Sequence, residues 1–164
     1  METTTGHNLR YPDLSDPPDL ASQLHNLADD VEAAFAGIAP DSGVVTNGIT
    51  VTPATGFTVT KVQHRTIGKK MWLGLTLSRS GAALTTSLIT DTNPGNLADT
   101  LAATIADAAH RPMIDWYGIF RTSFTSGACQ ISAANGNVTI LDMHDGSSIS
   151  TGDNLFFYAP YTIP

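Results

Sequence analysis

The sequence predicts a mainly β protein: an antiparallel β-sandwich or jelly-roll head preceded by one short N-terminal α-helix. Three observations carry that prediction. From Phe57 onward, apolar and polar residues alternate in short runs, the period of a half-buried strand. Gly, Asn and Asp turn signals separate these runs, marking about seven to nine strands at the spacing of sandwiches and barrels. Only residues 13–38, DLSDPPDLASQLHNLADDVEAAFAGI, keep a helical period.

Taken in order, residues 1–16 form an extended arm rich in Thr, Gly, Pro and Asp with no period. Residues 17–39 form the helix. Asp16 suits the N-cap, Pro17 the first helical position, and Asp19 the positive end of the helix dipole. Leu20, Leu24, Leu27, Val31, Ala34 and Ile38 recur at spacings of 4, 3, 4, 3 and 4, the heptad rhythm of a coiled coil. Ala21, Ala28 and Phe35 widen this stripe, which suits three strands better than two. The competing reading is an amphipathic helix packed on its own domain. Three heptads without flanking ion pairs make a weak seam, so a trimer needs help from the body. Gly37, Pro40 and Gly43 end the helix.

Residues 40–56 read as a linker containing one short strand near Gly48–Thr52, and residues 57–164 as the head. FTVTKVQHR and KKMWLGLTLSR form a hairpin across Ile67-Gly68-Lys69. Met71, Leu73, Leu75 and Leu77 share one face of its second strand, and Trp72 lies on the other. A strand near Thr100–Ile105 follows, with helix as the alternative for LADTLAATIADAA. MIDWYGIFRTSF, GACQISAA, NVTILDMH and NLFFYAPYTI complete the set. Adjacent aromatics, Trp116-Tyr117 and Phe156-Phe157, must point to opposite faces. Strands apolar on both faces are expected where one sheet packs inward and also against neighbouring subunits.

Composition excludes several functions. The net charge is −7, and residues 1–40 hold seven acids against Arg10 alone. That balance argues against nucleic acid as a partner. No apolar run reaches the roughly 20 residues of a membrane span, and METTTGHNLRYP lacks a signal-peptide pattern. The expectation is a protein made in a cytoplasm without membrane insertion. The single cysteine, Cys129, allows no internal disulfide and is expected buried and inert.

Little in the chain promises chemistry. No nucleophile elbow, phosphate loop or His-Glu-x-x-His motif occurs. Asp142 and His144 would share a strand face, but two ligands do not make a metal site. Asp91, Asn93, Asn96 and Asp99 crowd one loop without the EF-hand spacing. Arg111 is expected to brace a carboxylate or carbonyls. No cofactor, metal or catalytic residue is expected. Trp72, Trp116 and Tyr117, with Tyr158 and Tyr161, are candidate surface aromatics for a subunit interface or a sugar.

The opening RYPDLSDPPDLASQLHNLADDVEAAF resembles the start of short tail-fibre or minor tail proteins of phages of actinobacteria. The GFTVTKVQHRTIGKKMWLGLTLSRSGAAL hairpin, PGNLADTLAATIADAAHRP, ACQISAANGNVTIL and GDNLFFYAPYTIP resemble their small β head. The resemblance covers most of the chain and rests on order and rhythm. It implies a homotrimeric virion protein with a tumour-necrosis-factor-like head, carried on tail or capsid surface. It implies that the arm, with Arg10, Tyr11 and Pro12, binds other virion proteins, and that the head meets a host cell-surface glycan or protein. Two alternatives remain: a capsid decoration or head-fibre trimer, and a small cell-wall polysaccharide hydrolase.

Overall fold

The computed structural model describes residues 2–3, 10–11, 20–36, 40–88 and 96–164. The chain divides into two compact units, Met1–Pro40 and Asp41–Pro164. In the first unit, β1 (Glu2–Thr3) and β2 (Arg10–Tyr11) pair antiparallel, Glu2 opposite Tyr11 and Thr3 opposite Arg10. Both pairs are extended and lie within residues 1–16, the segment expected as an arm. Helix α1 runs Leu20–Ala36. Leu24 and Leu27, on the heptad stripe, are 57% and 41% exposed, and Val31 is half-buried. His25 faces Asp29 one turn on, at 3.6 Å. Pro12, Asp16, Pro17 and Ile38 lie outside the described residues, as do the side chains of Arg10, Tyr11, Leu20, Ala21, Ala34 and Phe35.

The second unit is mainly β and antiparallel. Its strands are β3 (Val51–Pro53), β4 (Phe57–Ile67), β5 (Lys70–Arg79), β6 (Leu84–Thr85), β7 (Asn96–Ile105), β8 (Trp116–Arg121), β9 (Ser126–Ile131), β10 (Asn137–Asp142), β11 (Ser148–Ile149) and β12 (Asn154–Thr162). Eight of them share one hydrogen-bonded order, β3-β7-β10-β9-β8-β12-β5-β4, and β6 pairs with β11 separately. The mainly β, antiparallel character expected from the sequence is present, with these eight strands in one continuous series. Only residues 54–56 link β3 at one edge to β4 at the other. So short a link holds the two edges together, and the sheet curls to nearly barrel-like form. Register shifts assist the curl, one between Val59 and Lys61 on β4 and two along β10.

Residues 41–56, expected as a linker, belong to this unit. Asp41 bridges to Ile67, Val45 to His64, and β3 pairs with β7. The β4–β5 hairpin turns where expected, through Gly68 at φ 58. Strand, not helix, occupies LADTLAATI, and a 3-10 turn follows at Ala108–His110. Pairing on both edges decides that competition: β7 is flanked by β10 and β3, whose Val138, Thr139, Ile140, Val51 and Thr52 are β-branched.

Alternation fills the inside of the curl. Met71, Leu73, Leu75 and Leu77 on β5, and Leu155, Phe157, Ala159 and Tyr161 on β12, are buried. Phe120, Cys129, Ile131, Val138 and Ile140 complete the same core. Two arginines close its ends. At one end Arg79 donates to the carbonyls of Gly56 and Ala82 and lies 4.6 Å over the Phe57 ring. At the other, Arg111 donates to the carbonyls of Ile105, Ala106 and Ala134 at 2.7–3.1 Å, the carbonyl role its sequence position suggested. Among the described residues no helix is long and apolar enough to cross a membrane.

Candidate functional site: an apolar outer face on five strands

The alternation that buries one side of β5, β12 and β8 must present the other side outward. The strand registers order that outer side into rows. Lys61, Thr76, Phe156, Arg121 and Ser126 form one row across β4, β5, β12, β8 and β9. Two residues further along come Gln63, Gly74 and Tyr158, with Ile119 and Ala128 continuing the row. The next contains Arg65, Trp72 and Pro160, with Tyr117 and Gln130 beyond.

These middle rows are apolar and exposed. Tyr117, Ile119 and Tyr158 are 63–65% exposed, and Phe156 is 48% exposed. Met113 and Ile114, which lead into β8, extend the patch at 56% and 79%. Tyr117 accepts a hydrogen bond at its hydroxyl from Gln130 Nε2, which also donates to Asp115. The ring is therefore held in place rather than free to fold away. Two grooves flank the Trp72–Pro160–Tyr117 row. One of about 280 Å³ is lined by Val44, Gln63, Arg65, Trp72 and Tyr158. The other, of about 490 Å³, runs along Met113, Ile114, Tyr117 and Pro160.

The structure sorts the candidate aromatics. Trp72 and Tyr117 lie on the outer face, Trp72 half-buried. Trp116 points the other way and packs partly on the core, with its indole over Gly118, where a Cβ would collide with it. Tyr161 is also core; its hydroxyl donates to the His110 carbonyl, and burial pushes its pKa up. Tyr161, a candidate surface aromatic by sequence, is thus buried, whereas Trp116 stays half-buried and lines the groove beside Tyr117. Sequence reasoning missed Ile119 and the Met113–Ile114 pair. The signal was present in WYGIFR, which carries apolar residues at both parities.

Carboxylates in the body serve as staples. Asp115 accepts from Gln130 Nε2 and the Ala133 amide, Asp142 from the Ala128 amide, and Asp153 from the Ser150 amide. β10 ends at Asp142, and His144 lies in the following turn, so the two do not share a strand face. Among the described residues no three metal-ligating side chains converge. Asp91, Asn93 and the Asn96 side chain of the oxygen-rich loop lie outside them. Cys129 is fully buried, and that burial pushes its thiol up to about 12, away from reactivity at neutral pH.

No protein-family model matches the chain, and no curated protein matches it.

Proposed function

We propose that this chain is a structural virion protein: a homotrimeric phage fibre or tail-tip component that mediates recognition of a host surface. The observation that carries the proposal is the outer face of β8 and β12. Tyr117, Ile119, Phe156 and Tyr158 are exposed there, and the neighbouring Met113 and Ile114 extend the apolar patch. Monomers rarely keep a large contiguous apolar patch in water. A three-fold axis that turns this face inward, as in tumour-necrosis-factor-like trimers, removes it from solvent in all three copies. The exposed Leu24 and Leu27 on α1 follow the same logic on a smaller scale, gathering three helices ahead of the heads. The arm, with Arg10, Tyr11 and Pro12, binds other virion proteins. The protein is made in the host cytoplasm and carried on the particle surface. Three weak head sites per trimer act together through avidity.

Light scattering of the purified protein at micromolar concentration tests the assembly. Three times the chain mass is expected, and the double variant Ile119→Asp/Tyr158→Asp is expected as a folded monomer. A monomeric wild type overturns the proposal. The same trimer on a capsid shell is the second reading, supported equally by the ribbon-forming arm. Imaging of particles separates the two, since decoration copies follow icosahedral symmetry.

A further inference from the structure

The outer apolar face stops at Arg121, where β8 reaches the end of the body remote from the Asp41–Val45 segment. Beyond it lies a second, different surface. A cleft of about 350 Å³ is lined by Arg121, Thr122, Ser123, Phe124, Thr125, Ser126, His144 and Ser147. Five of these eight carry hydroxyls, one is a cation, one an imidazole and one an aromatic ring.

The cleft is built rather than incidental. Thr122 is buried, and its hydroxyl accepts from the amides of Phe124 and Thr125 while donating to the Thr125 carbonyl. This knot holds the β8–β9 turn in one conformation and drives Phe124 outward to 87% exposure, the highest among the large apolar side chains described. The opposite wall is fixed in the same way. Buried Thr86 donates to the carbonyls of His144 and Ser147 and accepts from the Ser147 amide. The two walls join where the His144 amide donates to the Ser126 carbonyl at 3.2 Å. Two buried threonines thus hold the backbone that carries the exposed Phe124 ring and the exposed His144 imidazole beside Arg121. Among the described residues Arg121 has no ion-pair partner, unlike Arg65, which holds Asp41.

We propose that this cleft binds an anionic saccharide, with the acid group on Arg121 and a sugar ring face on Phe124. The chemistry follows from the lining. A guanidinium without a carboxylate partner is a forked donor for a carboxylate or phosphate. An exposed ring on a hydrogen-bonded turn offers an apolar plane to the C–H face of a sugar. The serine and threonine hydroxyls replace the water that a polyol gives up on binding. A lipid or apolar peptide finds only one apolar side chain here. The proposal rests on the reading of the body as an exposed adhesive head, whose tip this cleft would occupy.

Saturation-transfer NMR with glucuronate, glucose 6-phosphate and glucose tests it, on full-length protein whose mass is checked by light scattering in the same buffer. At least one of the two acidic sugars is expected to bind and glucose to bind more weakly, the acidic pair telling carboxylate from phosphate. Arg121→Gln is expected to weaken the acidic ligand about tenfold, the loss typical of a charge-assisted hydrogen bond. Phe124→Ala, at a side chain outside the core, is expected to abolish the signal without changing the melting temperature. Equal signals from all three sugars, no signal from any, or indifference to either substitution overturns the site. A trimer that binds no sugar defeats only this inference, whereas a monomer that binds it defeats only the trimeric reading.

Discussion

His64 lies inward on β4 opposite Leu73, 8% exposed, and its Nδ1 is buried without a hydrogen-bond partner. Its ring meets that of His110 edge-on at 5.7 Å, and His110 in turn pairs with Asp107. Burial lowers the His64 pKa first, and the charge of His110 lowers it further. The folded state therefore keeps His64 neutral at pH values where the unfolded chain binds a proton. Its contribution is complete above the ordinary histidine value of about 6.5 and is lost as pH falls below it. Asp41, held to about 2 by Arg65 and the Gly43 amide, and Asp107, held low by the Ala109 amide and His110, lose their contributions only at more acidic pH. Melting temperature is expected to fall between pH 7 and 5, and His64→Leu is expected to flatten that slope. Equal slopes in the two proteins would assign the effect to the other histidines.

At the scale of elements, the body depends on close approach as much as on apolar content. β9 and β10 meet at Gly127, where a Cβ would run into the Asp142 carbonyl oxygen and the Phe120 ring. Neither can move without opening the ladder. Gly74, on the outer side of β5, faces instead the flexible Gln63 side chain at 3.0 Å. Gly127→Ala is expected to cost about 1–3 kcal/mol in urea unfolding, and Gly74→Ala under about 0.5 kcal/mol. Equal costs would mean that the β9–β10 contact relaxes freely. The sequence shows both glycines inside strand patterns but not which one is confined, because the obstacle to Gly127 comes from a strand 15 residues away. The same holds for the arginine clamps: Arg111 announces a structural role, but its three carbonyls come from two separate segments.

For the whole molecule, the division at Pro40–Asp41 has a direct consequence. Among the described residues, the core, the sheet and the two clamps of the body are built from residues 41–164. A protein starting at Asp41 is expected to fold, to stay largely trimeric through the β8–β12 face, and to lose attachment to the particle. Circular dichroism, light scattering and particle pull-down read these three outcomes. An unfolded product would place α1 in the body's core and refute the stalk.

Period alone made much of this legible. The two-residue alternation assigned Met71, Leu73, Leu75 and Leu77 to one side, located the Gly68 turn, and separated Phe156 from Phe157, because pleat geometry is local. The heptad on α1 was equally plain. Tertiary structure decided what local rules leave open. Strand order made one curled sheet, because residues 54–56 tie its edges together. The side of the sheet that faces inward set Trp116 partly against the core and Tyr117 outward. Turn positions brought Arg121, Phe124 and His144 to one cleft. Each depends on contacts between residues far apart in the chain, and no period in the sequence encodes those.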